Sequence, residues 1–312
     1  MLETEARLEA AIASAQTIAL AGHASPDGDA IGSCAALATF LDRAGKNVYV
    51  LLEDYDTKYN IIPVQQYIYS ESYDALAPDL FIALDSSTAD RLGKAADVMK
   101  RAKTTALFDH HIGNAIEVDI SLTDTVACST TLMIYRYINR RTTIDAAIAA
   151  PIYAGLVYDT GGFRHSSTTP EAMLSAAHLI QTGIDFSKIY RSMLFERSKE
   201  KVPLYAAAIA NITYVEPDTA YTCVTLADKA THGGEYPDGV VDYLINIRGV
   251  NTAIYATERE EGVEVSMRSR VANVGELAGK LGGGGHKAAA GFKAQGTTQA
   301  VIDNILKYLQ TE

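Results

Sequence analysis

Basic residues are what this chain has least of relative to need: 27 lysines and arginines stand against 38 acids, a formal net charge of −11 at pH 7. Proteins that coat long nucleic acid draw most of their non-specific affinity from cationic side chains on phosphates. A long-duplex binder is therefore excluded, and any nucleotide ligand is expected to be short. Cysteine is scarce and odd in number. Cys34, Cys128 and Cys223 lie far apart in apolar surroundings, which argues against a disulfide framework or a zinc site and for buried thiols. No apolar stretch approaches the roughly 20 residues that span a bilayer. The first segment, 2–13, reads as an acidic helix rather than a basic, apolar signal, so the expected location is cytoplasmic, with no membrane partner. Internal repeats and low-complexity tracts are missing too.

What is present is globular: 48% hydrophobic and 21% charged residues over a length of 312 that allows two ordinary domains. The pattern alternates apolar runs with helical periodicity. A helix is expected at 2–14, a strand at 17–22, a helix at 30–44 and a strand at 47–52, then runs at 80–84, 105–108 and 152–158 that read as buried strands. Helical patterns occupy 89–100, 128–139, 170–182 and 186–195. Such β-α-β order predicts an α/β, doubly wound, mostly parallel sheet. From 211 the pattern changes to paired strands at 211–216 with 221–226 and 252–257 with 263–268, a helix at 240–245, another at 275–281, a strand at 288–292 and a last helix from 298. The expected division is 1–195 for the first domain, 196–210 for a connecting helix and 211–312 for a smaller α+β domain, with the active-site cleft between them.

The chemistry sits where the apolar runs end. His23, Asp27, Asp29, Asp85, His110 and Asp159 each follow such a run closely, and ligands of open α/β sheets bind beyond the carboxyl ends of the strands. In the turn His23-Ala24-Ser25-Pro26-Asp27-Gly28-Asp29, Asp29 alone would read as a helix N-cap and Asp27 as a turn former. Those readings leave His23 unexplained. Asp85 alone, before Ser86-Ser87-Thr88, is only a strand-end acid, and Asp159 before Thr160-Gly161-Gly162 only a turn residue. Asp109-His110-His111 carries more weight, because an acid and two imidazoles placed directly after a buried strand are costly to satisfy as core groups.

Aspartates 27, 29, 85, 109 and 159 gathered at one sheet edge would concentrate a charge of −5. Two divalent cations would offset most of it. Carboxylates favour Mg2+ and Mn2+, and two imidazoles shift the preference to Mn2+, with zinc as second choice. Two such ions suit in-line displacement at phosphorus. In the second domain Arg268 and Arg270 alternate along a strand so as to share one face, a geometry for phosphate forks. The run from Gly282 through Gly283, Gly284 and Gly285 to His286 and Lys287 offers backbone N–H groups for close approach to phosphate.

These motifs resemble those of the DHH phosphoesterases. HASPDGDAIGS from His23, DSSTADRLG from Asp85, DHH from Asp109 and YDTGGFRHSS from Tyr158 are similar to the family's four motifs in order. SMRSR from Ser266 and GGGGHKAAAGF from Gly282 are similar to its DHH-associated C-terminal domain. Within the family the arrangement looks most like the compact nanoRNase and pAp phosphatase type. The resemblance implies two Mn2+ ions, with Mg2+ or another divalent ion as substitute. One would be held by His23, Asp27 and Asp85, the other by Asp29, Asp85, His110 and Asp159. It also implies that His111 contacts the scissile phosphate while Asp109 orients a histidine. By the same resemblance Arg268 and Arg270 bind phosphates, Gly283 to His286 surround the terminal nucleotide, and Arg91 and Arg164 are further phosphate candidates. Many relatives carry an acid where this chain has Leu132, which argues against a supporting role for the helix after Ser129-Thr130, though no proposed metal ligand is lost.

The expected activity is hydrolysis of oligoribonucleotides of two to five residues and of linear dinucleotides, and removal of the 3′-phosphate of pAp, with a homodimer left open. A RecJ-like single-strand exonuclease, an inorganic pyrophosphatase and a non-catalytic nucleotide sensor are the alternatives.

Overall fold

Alternating side chains in the first strands explain why they are sandwiched. In β1 (Thr17–Ala21), Ile18 and Leu20 point to one side and Ala19 and Ala21 to the other, and all four are buried. A strand apolar on both faces belongs inside a parallel sheet covered by helices on each side. In the computed structural model, which describes residues 2–53, 55–86, 88–111 and 116–311, five parallel strands pair in the order β2-β1-β3-β4-β5. Ser87, which with Ser86 and Thr88 could cap a helix after Asp85, lies outside the described residues.

The first unit, residues 1–196, begins with α1 (Leu2–Ser14), β1, α2 (Gly28–Arg43) and β2 (Asn47–Leu51). Then come β3 (Leu80–Leu84), α3 (Ala95–Arg101), β4 (Thr104–Asp109), β5 (Ile120–Thr123), α4 (Thr130–Asn139), α5 (Ala146–Asp159), α6 (Pro170–Gln181) and α7 (Phe186–Leu194). The side chains of Ile18, Leu20, Leu80, Ile82 and Phe108 pack under α2, α4 and α5, while Ala19, Phe81, Ala83 and Leu107 pack with Leu92, Ala95 and Val98. The strand order reverses direction between β1 and β3, and this switch point is where ligands of open α/β sheets settle.

Four sequence expectations are corrected. The run 152–158 is not a strand but the second half of α5, so Asp159 ends a helix. Helix α5 is apolar nearly all round because it is buried nearly all round. A short window of such a helix has no periodicity to tell it from a central strand. Second, the helical stretch 89–100 is broken at Gly93, whose φ of 55° ends a 3-10 turn before α3 begins. Third, α2 starts at Gly28 with Asp27, not Asp29, as its N-cap, the Asp27 carboxylate accepting from Asp29 N and Ala30 N. Fourth, the glycine run is not only loop, because Gly284–His286 forms a strand. The fifth strand of the first sheet, β5, was not anticipated.

The second unit, residues 197–312, contains α8 (Val202–Ala210), β6 (Thr213–Val215), β7 (Thr219–Val224), α9 (Leu226–His232) and α10 (Val240–Ile245). It continues with β8 (Thr252–Arg259), β9 (Gly262–Ser269), α11 (Val274–Lys280), β10 (Gly284–His286), β11 (Ala289–Ala294) and α12 (Thr298–Thr311). Its six strands run β10-β11-β9-β8-β7-β6, antiparallel except for β7 with β8. Leu204 and Ala208 of α8 are buried in this unit's own core with Ala220, Val240 and Leu244. The helix that the sequence suggests as a connector is thus packed into the second unit. No helix among the described residues is long and apolar enough to cross a membrane.

Candidate metal centre

Three strand ends and one helix end bring the donors together. His23 and Asp27 follow β1, Asp85 follows β3, His110 and His111 follow β4, and Asp159 closes α5. Their ligand atoms form three overlapping triads, each with its atoms within 4.8 Å of one another: His23, Asp27 and Asp85; Asp29, His110 and Asp159; Asp85, His110 and His111. Asp85 and His110 each belong to two of them. His23 Nε2 lies 3.7 Å from Asp27 Oδ2 and 3.9 Å from Asp85 Oδ2. His110 Nε2 lies 3.5 Å from Asp85 Oδ1 and 3.1 Å from Asp159 Oδ2. Asp109 does not join a triad; its Oδ1 sits 2.7 Å from His111 Nδ1, and a carboxylate there keeps the proton on that nitrogen.

Asp85 occupies a position that costs energy. It is 2% exposed and its φ is 59°, a left-handed conformation uncommon for residues other than Gly, Asn and Asp. Burial, and then the nearby carboxylates of Asp29, Asp27 and Asp159, push its pKa well above the ordinary range. Strain and repulsion concentrated on one buried side chain are typical of a functional position.

Asp29 is fully buried and is held by the start of α4. Thr130 N donates to its Oδ2 at 2.6 Å, and Thr131 N and Oγ1 donate to its Oδ1 at 2.9 and 2.6 Å. Thr130 Oγ1 donates to Asp85 Oδ1 at 3.0 Å. The positive end of the helix therefore faces the acids. Ser129, Thr130 and Thr131 were missed as site residues in the sequence. Three consecutive hydroxyl residues just before a helical run were the available signal, but the donors that matter most are backbone N–H groups, which no side-chain pattern specifies. Leu132 is fully buried, as befits a side chain with no place among the donors. Gly155 of α5 must be glycine, since a Cβ there would stand 2.4 Å from Thr131 Cγ2 and 2.8 Å from Asp29 Oδ1.

The remaining candidates lie elsewhere. Arg91 is exposed, although its carbonyl accepts from Ala24 N at 2.6 Å beside the His23 turn. Arg164 is exposed in the turn after Asp159. Arg268, on the second unit, donates from Nε to Asp242 at 3.0 Å, and the exposed Arg270 donates from Nη1 to Val250 O at 2.8 Å. Gly284, Gly285 and His286 form β10, paired with β11 through Gly285 opposite Ala290, and Gly283 precedes it with its N–H bonded to Ala278 O.

The donor set fits hard divalent cations: oxygens and imidazoles, with no thiolate, since burial pushes the Cys128 thiol up to about 11. Imidazole nitrogens lie within 4 Å of the carboxylates of Asp27, Asp85 and Asp159. Burial, and then Asp29, raise Asp159 to about 8. His110, whose burial alone would lower it, is raised to about 9 by its bond to Asp159 and by Asp29. Both groups then hold protons at neutrality in the ion-free protein. A native state that binds more protons than the unfolded chain loses stability as pH rises. Ion-free protein is therefore expected to melt at progressively lower temperature from about pH 4, where Asp159 begins to differ from the unfolded chain, to about pH 9, where His110 loses its proton, and Mn2+ or Mg2+ is expected to release protons on binding. Melting curves in chelator across that range, with pH-stat titration of the ions, check both signs.

Comparison with known proteins agrees with this layout. Residues 17–158 match the DHH family, N-terminal domain, and residues 220–312 match the DHHA1 domain. The chain is 30% identical over 282 residues to the bifunctional oligoribonuclease and PAP phosphatase NrnA of Thermus thermophilus, covering 89% of this chain and 84% of that protein. An exopolyphosphatase-related protein from Bacteroides fragilis superposes with a TM-score of 0.92 at 25% identity, over 100% of this chain and 96% of that one. RecJ of Thermus thermophilus in complex with Mn2+ shares the fold with a TM-score of 0.53 at 14% identity, over 94% of this chain and 52% of RecJ. With three strand ends and a helix end converging on the DHH motif, and both domains matched in order, the chain belongs to the DHH family and carries the DHH-associated domain at its C-terminal end.

Proposed function

We propose that this protein is a dinuclear-metal phosphodiesterase and phosphatase that hydrolyses short oligoribonucleotides and linear dinucleotides to mononucleotides and removes the 3′-phosphate of pAp to give AMP. The observation that carries the reading is the set of three overlapping donor triads linked through Asp85 and His110, beside a histidine whose Nδ1 is engaged by Asp109. Support for the substrate class comes from the relative named as an oligoribonuclease and PAP phosphatase and from the net charge of −11, which disfavours long polyanions.

In this reading His23, Asp27 and Asp85 hold one ion, and Asp29, Asp85, His110 and Asp159 the other, as Mn2+ or Mg2+. Such ions supply Lewis acidity, lowering the pKa of water and offsetting charge on phosphate oxygens. The chain's own residues do the rest. Thr130, Thr131 and the first N–H groups of α4 keep the Asp29 and Asp85 carboxylates in place. His111, with Nδ1–H donated to Asp109, would in its doubly protonated form donate Nε2–H to a phosphoryl oxygen or to the departing oxygen. Arg268 and Arg270 bind phosphates of the substrate, the segment Gly283, Gly284, Gly285 and His286 takes its terminal nucleotide, and Arg91 and Arg164 of the first unit are further phosphate contacts.

The test is a Mn2+-supplemented assay in which pAp, a 5′-phosphorylated diribonucleotide, pyrophosphate and a long oligodeoxynucleotide are compared side by side. Release of mononucleotides from the dinucleotide and of phosphate from pAp is expected, with little action on the long strand. Preference for the long strand would favour a RecJ-like exonuclease, preference for pyrophosphate a pyrophosphatase, and binding without turnover a sensor.

A further inference from the structure

Arg136 lies in the middle of α4, away from every donor atom of the metal centre, yet it gathers three separate parts of the first unit. Its Nη1 donates to Asp124 Oδ2 at 2.5 Å, and its Nε and Nη2 form a bidentate fork on Glu171 of α6. The Arg136 and Asp124 side chains are only 23% and 18% exposed, so solvent screens this contact less than an ordinary surface pair. Asp124 in turn builds the turn 124–127 that follows β5. Its second oxygen accepts from Val126 N at 3.0 Å, its carbonyl accepts from Ala127 N at 3.1 Å, and its own N–H reaches Asp109 O at 3.1 Å.

The turn ends on Ala127, whose carbonyl oxygen is 3.2 Å from His110 Nδ1. A carbonyl can only accept, so this contact keeps a proton on Nδ1 and makes Nε2, which faces Asp85 and Asp159, the nitrogen that gives up its proton and offers a lone pair when an ion binds. We propose that Arg136 is a positioning residue: by fixing Asp124 it fixes the turn whose last carbonyl sets the tautomer and rotation of the His110 imidazole. The inference rests on the reading of His110 as a metal ligand. Partners that orient a ligating histidine commonly change metal affinity about 10- to 100-fold when removed. Arg136 acts one link further out, so the lower end of that range is expected. Nothing in the sequence marks it, since an arginine on a helix is ordinarily a solvated one.

The experiment compares wild type, R136M, R136K and R140M as full chains. Arg140 sits near the end of the same helix and pairs with Glu5, so R140M controls for the loss of an ion pair that leaves the turn 124–127 untouched. Two quantities are read: the dissociation constant for Mn2+ by calorimetry, and the 15N signals of the His110 ring in ion-free protein. R136M is expected to weaken Mn2+ binding about tenfold and to shift and broaden the His110 ring 15N signals as the Nδ1–H loses its fixed acceptor. R136K, which keeps the charge without the fork, is expected to fall between, and R140M to match wild type. Should R136M not fold, D124N is read in its place. Unchanged affinity and unchanged ring signals in folded R136M or D124N, or an equal change in R140M, overturn the proposal. If wild type itself takes up no Mn2+, the metal reading fails instead, and the ring signals still decide whether Arg136 orients His110.

Discussion

Asp85→Asn is expected to reduce turnover to near background while making the ion-free protein more stable at neutral pH. The two effects have one cause. Asp85 belongs to both proposed ligand sets, lying in the triad of His23 and Asp27 and 3.5 Å from His110 Nε2 of the other, so replacing its carboxylate with an amide weakens both proposed ion positions at once. The Lewis acidity at stake is worth several kcal/mol, hence a fall of roughly 10³-fold or more in kcat/KM. The same carboxylate is buried, repelled by Asp27, Asp29 and Asp159, and shifted well upward for those reasons. An asparagine removes the repulsion, tolerates the φ of 59° better than most residues, and can still accept from Thr130 Oγ1. Stabilisation of the order of 1–3 kcal/mol, the typical cost of one badly solvated buried group, is expected in chelator. Ions are expected to raise the melting temperature of wild type and to leave that of the variant nearly unmoved. Melting curves with and without Mn2+, beside the hydrolysis assay, check all three outcomes. A variant that keeps wild-type turnover would end the proposed mechanism.

His111→Gln is expected to separate chemistry from ion binding. The proposed ligand sets do not need His111, and its Nδ1 is occupied by Asp109 at 2.7 Å. Loss of a positioned proton donor or phosphate contact costs typically about 10²- to 10⁴-fold, and the decrease should appear in kcat with Mn2+ affinity close to wild type. Asp109→Asn is expected to produce a smaller loss of the same kind, because the amide no longer compels the proton onto Nδ1. Steady-state kinetics together with calorimetric Mn2+ titration of both variants provide the check. A large fall in Mn2+ affinity in His111→Gln would show instead that this imidazole is a ligand, which the third triad of Asp85, His110 and His111 makes geometrically feasible.

The strands β1, β3 and β4 were readable because each is a short apolar run with a chemically distinctive residue just beyond it. A parallel sheet explains why distant runs should end on one edge. The helix α5 was misread in its second half for the converse reason: Ile152, Leu156 and Val157 are buried on several sides, and a helix without a polar face has the composition of a central strand. An apolar face from Asp145 to Val157 was legible beside the strand reading, and Asp145, whose carboxylate accepts from Ile148 N, is the cap that decides for the helix. Strand β5 escaped notice at four residues, too few for alternation to stand out from loop. The glycine run gave no strand signal because glycine is depleted from strands, yet Gly284 pairs with Gly291 across a hairpin in which a Cβ on Gly285 would stand 2.5 Å from Ala289 O. Ala127 and the N–H groups of α4 act through the main chain, which every residue type possesses, so their contributions had no signature to find.

The proposed donors begin at His23 and end at Asp159, the last residue of α5, so they span most of the first unit. During translation the sheet residues through Thr123 all emerge well before α5 is complete, and a truncated nascent chain lacks both the helix that covers α2 and the final carboxylate. On the proposed ligand sets the centre closes late in synthesis, which would spare a half-made polypeptide from cutting the short RNA fragments around the ribosome that is making it.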